Sequence, residues 1–233
     1  MEKKILSGRE YLIFPPKEPL KQSDWPVVIV HGDSDSSQLL MKNGLLPLSN
    51  SLAVVILSED RYGDYTPWPA KALNQRFPDF TGRADRYLGW IGEELLSELK
   101  KHYPVKGTKE KIGVLGQSLG GLVNLYTYLS PFRDIWSYAA CISPSSWYPD
   151  FFRKFEENIS DKGRKNWYIS SGMSEGSSHN DLKKNTVAFT RRIINLLREN
   201  GNEVEEYWDA GQHHEFLADR YKRGLSWLDR CLL

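Results

Sequence analysis

Only two cysteines stand among the 233 residues, Cys141 at the end of an apolar run and Cys231 near the C-terminus. So few thiols cannot build a disulfide framework, and they suit a reducing compartment in which both pack as small apolar groups. Net charge is as scarce. With 31 basic against 30 acidic side chains, a balance of +1 leaves no electrostatic footprint for nucleic acid or for an anionic membrane. No apolar stretch approaches the length of a membrane span, and MEKKILSGRE carries two lysines without the apolar run of a signal peptide behind them. A cytoplasmic protein is predicted. Internal repeats, low-complexity tracts and linker-like composition are also missing, so one domain over residues 1–233 is expected, and 40% hydrophobic residues suffice for a sizeable core.

What is present alternates between strand and helix patterns. Apolar runs at 11–14, 27–30, 52–57, 112–115, 138–142, 167–171 and 204–208 read as strands, the first two separated by the proline-bearing FPPKEPLKQSDWP. Helical spacing marks 37–46, 83–102, 151–158, 182–200 and 216–230. In 83–102 the apolar residues Tyr87, Leu88, Ile91, Leu95, Leu96 and Leu99 form a one-sided stripe for packing on a sheet. The pattern predicts an α/β fold with a mostly parallel central sheet covered by helices on both faces. Residues 58–82, long, polar and aromatic, read as a functional or lid-like connection.

The strongest chemical signal is KIGVLGQSLGGLVNL, residues 111–125. A buried strand runs into Gly116-Gln117-Ser118-Leu119-Gly120, and Leu122, Leu125, Tyr126 and Leu129 then recur at helical spacing. That order suits a nucleophile elbow, where serine sits in a strained turn whose neighbours must lack a Cβ. A serine hydroxyl is a weak nucleophile and needs a base, with a third group to orient that base. Of five histidines, His31 and His102 precede the serine, while His179 follows one later strand and the pair His213 and His214 follows another. In this architecture the histidine comes last, so His213 is favoured as base with His214 as alternative. Glu175, the first carboxylate on the loop Gly172-Met173-Ser174-Glu175-Gly176, is favoured as acid, with Asp181 and Asp209 as alternatives. Oxyanion donors are expected from the amide of Leu119 and from the loop Gly32-Asp33. His31, Asp33 and Asp35 could suggest metal ligands, but carboxylates in a serine-rich turn more often cap a helix; no metal and no cofactor is expected.

Six segments, VVIVHGD (27–33), DRYGDYTP (60–67), GQSLGG (116–121), SPSSWY (143–148), GMSE (172–175) and GQH (211–213), make most of the chain resemble the esterase family of α/β hydrolases that includes enterobactin esterase-like trilactone esterases, S-formylglutathione hydrolase and the mycolyl transferases. The resemblance implies an α/β-hydrolase fold, a small-molecule ester substrate, Ser118 as nucleophile, Glu175 as acid and His213 as base, and it places the SPSSWY loop and Arg61 beside the substrate. The family's aspartate-glycine reads His31-Gly32 here, and its GGH turn reads GQH. Acyl transfer to an alcohol or thiol, or a binding protein without catalysis, are the alternative functions. Tyr62, Tyr65, Trp68, Trp147 and Tyr148 would line an aromatic pocket for aryl or catecholate esters, or else pack the core. Arg61 would pair with an anionic substrate group, or else brace its own loop.

Overall fold

Strands with apolar residues at every position form the centre of the molecule, because both faces of the sheet they build are covered. The computed structural model describes residues 1–18, 24–105, 107–159, 165–176 and 182–233. Along β3 (Val27–Gly32), Val27 and Ile29 face one core while Val28 and Val30 face the other. Leu52, Val54 and Ile56 of β4 (Leu52–Leu57) join the first core, and Ala53 and Val55 the second.

The sheet runs in the order β1 (Glu2–Leu6), β2 (Arg9–Phe14), β4, β3, β7 (Ile112–Gln117), β8 (Tyr138–Ile142), β9 (Asn166–Gly172), β10 (Glu203–Asp209). From β4 to β10 every neighbouring pair is parallel, and β1 and β2 add an antiparallel edge. Helices α1 (Ser34–Lys42) and α8 (Leu217–Cys231) cover one face. On the other lie α3 (Ala84–Gly89) continued by a π-helical turn and α4 (Leu96–His102), with α5 (Leu119–Tyr126), α6 (Phe151–Asn158) and α7 (Thr186–Glu199). This is the α/β-hydrolase architecture expected from the sequence. Among the described residues, no helix is long and apolar enough to cross a membrane.

Strand β1 is absent from the expectation. Its residues EKKIL are mostly exposed at the sheet edge, so no apolar run announces it. Helix α1 starts three residues before the expected 37, at a capping box in which Asp33 accepts from the Ser36 amide. The connection at 58–82 contains a short helix α2 (Arg61–Asp64) and a ribbon of β5 (Pro69–Ala70) with β6 (Phe80–Thr81), and it folds over the carboxyl edge of the sheet.

Candidate active site

The carboxyl ends of β7, β9 and β10 deliver three polar residues to one place. Ser118 occupies the step from β7 to α5 with φ 60° and ψ −116°, a sparsely populated conformation that costs on the order of 1–3 kcal/mol. Close approach explains the glycines around it: a Cβ on Gly116 would come within 2.2 Å of the Gly120 backbone. The turn is held from outside by the Ser118 amide, which donates to Ile142 O at 2.9 Å.

His213, on the loop after β10, places Nε2 3.0 Å from Ser118 Oγ and Nδ1 2.9 Å from Glu175 Oε2. The other carboxylate oxygen, Oε1, accepts from Ser143 Oγ at 2.7 Å, Gly172 N at 2.8 Å, Ser171 Oγ at 3.0 Å and Arg220 Nη1 at 3.0 Å. Burial works against this charge, but the hydrogen bond and charge of His213, with the Gly172 amide and the Ser143 hydroxyl, outweigh it and hold the carboxyl at about 2. An ionised carboxylate can only accept, so it fixes the Nδ1–H tautomer of His213 and leaves Nε2 to accept from Ser118.

The two alternative acids fare differently. Asp209 is taken by Arg220, whose Nε and Nη2 each donate to it at 2.7 Å. Asp181 lies outside the described residues, as does His179. The alternative base, His214, lines the same cavity; its ring stands edge-on to that of His213 with centroids 4.7 Å apart. Burial, then the charges of His213 and Lys183, lower its pKa.

Ser118, Leu119 and His213 open on a cavity of about 330 Å³. Its aromatic wall is Tyr62, Phe77, Phe80 and Trp147, and Lys183 also lines the cavity, with Nζ over the Trp147 ring at 5.6 Å from the ring centre. Leu119 is the first residue of α5, where amides have no intrahelical partner, and among the described residues its N–H has no other acceptor, which leaves it available to an oxyanion. The other expected oxyanion donors are placed otherwise. Asp33 N donates to Ser36 Oγ at 2.7 Å inside the capping box, and neither Gly32 nor Asp33 lines the cavity.

Two expected substrate contacts are corrected as well. Arg61 Nη1 donates to Asp33 Oδ2 at 2.6 Å and Nη2 to Gln117 O at 3.2 Å, so it ties the cap of α1 to the residue before Ser118 and lies outside the cavity. Burial raises the Asp33 carboxyl, but the Arg61 charge and the Ser36 hydrogen bonds outweigh it and lower its pKa. Tyr148 is buried, with its hydroxyl donating to Trp68 O at 2.5 Å and its ring edge-on to Phe80, behind the cavity wall. His31 sits among the rings of Tyr65, Tyr87 and Trp136, where burial lowers its pKa to about 3.

Arg220 and Ser171 escaped sequence reasoning, which placed the loop of Ser143 and Ser145 beside the substrate without assigning either serine a role. One signal for Arg220 was available. In α8 the residues 220, 221, 224, 225 and 228 form the buried stripe, and a charge on such a stripe needs buried partners.

A family model described as "Putative esterase" matches residues 16–219. The chain belongs to that family. Family membership places it among hydrolases of small-molecule esters. A curated relative, the uncharacterized protein YbbA of Bacillus subtilis (strain 168), is 24% identical over 97% of this chain and 94% of its own. Among solved structures, an IroE-like serine hydrolase from Shewanella oneidensis superposes with a TM-score of 0.76 at 19% identity, covering 95% of this chain and 76% of that one. The siderophore hydrolase EstA from Aspergillus nidulans gives 0.66 at 19% identity over 97% of this esterase-family chain and 91% of its own. At these identities the structures share the fold.

Proposed function

We propose that this protein is a serine carboxylic ester hydrolase acting through an acyl-enzyme, with Ser118 as nucleophile, His213 as base and then acid, and Glu175 as the group that orients the imidazole. The observation that carries the reading is the unbroken hydrogen-bonded line from Ser118 Oγ through both His213 nitrogens to Glu175, opening on the cavity. Ser118 Oγ attacks the ester carbonyl as its proton passes to Nε2, and the Leu119 amide receives the developing oxyanion. Collapse expels the alcohol, which takes the proton back from Nε2. Water then attacks the acyl-serine with the same imidazole as base, and the carboxylic acid leaves.

An aromatic wall with a lysine over one of its rings suits aryl or catecholate esters. Hydrolysis is favoured over acyl transfer because the His213 side chain is 27% exposed, which lets water reach the acyl-enzyme. A panel of p-nitrophenyl, aryl, thioester and catecholate trilactone substrates tests this. Free acid should form with multiple turnovers, added alcohol or thiol acceptors should capture little of it, and Ser118→Ala should abolish it. Turnover by Ser118→Ala within tenfold of wild type would sink the mechanism.

Arg61→Ala separates scaffold from recognition. Because Arg61 braces the turn, the variant should lose thermal stability and lose activity on neutral and anionic esters by similar factors. A KM raised for anionic esters alone would return Arg61 to the substrate.

A further inference from the structure

Ser145 has no part in the mechanism above, yet it touches the nucleophile twice. Its amide donates to Ser118 O at 3.1 Å, and its Oγ lies 3.2 Å from Ser118 Oγ. The residue is fully buried, and among the described residues Ser118 Oγ is the one hydrogen-bond partner of its hydroxyl.

Elimination assigns the donor. Glu175 fixes the proton of His213 on Nδ1, so Nε2 accepts and the Ser118 proton points to it. The Oγ–Oγ contact then has only the Ser145 proton to use. A serine oxygen has two lone pairs; Ser145 occupies one, and the other is left for attack. The same turn also reaches the far end of the triad. Ser143, two residues earlier and with φ 46°, donates through Oγ to Glu175 Oε1. Between the two serines, Pro144 packs so closely on α5 that a Cβ on Gly121 would meet it at 3.0 Å. The hydroxyls of one braced turn therefore hold both the nucleophile and the acid.

We propose that Ser145 is a further catalytic residue: its hydroxyl donates a fixed hydrogen bond to the attacking oxygen, selects the Ser118 rotamer that faces His213 and the cavity, and stabilises the negative charge that gathers on Oγ as its proton passes to Nε2. The proposal rests on Ser118 being the nucleophile.

A small dialkyl fluorophosphonate tests it, since the reagent makes little use of the aromatic wall. Ser118 Oγ forms the new bond to phosphorus, fluoride leaves with the P–F electron pair, and the serine proton goes to Nε2. In Ser145→Ala the phosphonylation rate constant and kcat for an aryl ester should fall together by roughly 10- to 100-fold, the loss of a hydrogen bond to a charged group, while KM stays within about twofold. Ser145→Cys, a weaker donor of similar shape, should fall between the two. A phosphonylation rate within about twofold of wild type in Ser145→Ala overturns the proposal, as does a Ser145→Cys rate below that of Ser145→Ala, or a shift in KM and melting temperature that accounts for the loss. Mass spectrometry of the labelled peptide keeps the two readings apart. Wild-type protein unlabelled at Ser118 sinks the nucleophile assignment itself, whereas normal labelling of both wild type and Ser145→Ala removes Ser145 alone.

Discussion

His213→Ala is expected to lower ester hydrolysis by roughly three orders of magnitude or more, and His214→Ala by about tenfold or less. Both rings line the cavity and touch edge to face, so proximity to the substrate does not distinguish them. Connectivity does. Of the two, only His213 has one nitrogen on Ser118 Oγ and the other on a carboxylate, and removing it strands the serine proton and takes from Glu175 Oε2 its imidazole partner. His214 acts on His213 through its ring and, when charged, through its field. Its removal should therefore move the pH profile or KM more than the limiting rate. Steady-state kinetics of both variants on one p-nitrophenyl ester decide the matter, and a larger loss in His214→Ala would transfer the role of base to it.

The site was legible in the sequence where chemistry follows chain order. A strand, a glycine turn and a helix around residue 118 have one common geometry, and the loops after the last two parallel strands converge on that turn. Residues 118, 175 and 213 could therefore be brought together before any coordinates. Side-chain direction was not legible. Arg61 and Tyr148 stand in segments that reach the cavity, but a four-residue helix turns Arg61 toward Asp33, and packing on Phe80 and Trp68 turns Tyr148 behind the wall. Asp33 illustrates a second limit. Its amide was expected in the oxyanion hole, yet Ser36 three residues on completes a capping box and takes that amide. Local hydrogen bonding overrode a family pattern. The roles of Ser143 and Ser145 were hidden for a different reason, since short hydroxyl side chains show their purpose only through their partners, here 32 and 27 residues away.

Arg220→Met is expected to cost roughly 3–5 kcal/mol of stability at neutral pH, the usual consequence of removing one partner from a buried ionic cluster. The guanidinium is fully buried; it holds both oxygens of Asp209, Oε1 of Glu175, Ser143 Oγ, and Gln212 O on the loop that presents His213. Methionine fills much of the volume but leaves two carboxylates facing each other without a cation. The pH dependence identifies the cause. In the native protein Glu175 is lowered from 4.5 to about 2, and Asp209 is lowered by its Arg220 hydrogen bonds. Depressed carboxyls stabilise the fold fully above their unfolded values and lose that contribution as pH falls toward 2. In the variant both carboxyls should rise, so the stability gap should be widest above about pH 5 and narrow as the pH is lowered and protonation relieves the repulsion. Urea unfolding at pH 7, 5 and 3 measures the gap, and the acid limb of kcat/KM should move upward in parallel as Glu175 becomes easier to protonate. Arg220→Lys keeps the charge without the planar fork and should lie between wild type and Met. A gap that stays constant with pH would mean that Arg220 contributes packing alone, and a variant as stable as wild type at pH 7 would mean that the buried ionic cluster adds nothing to the fold.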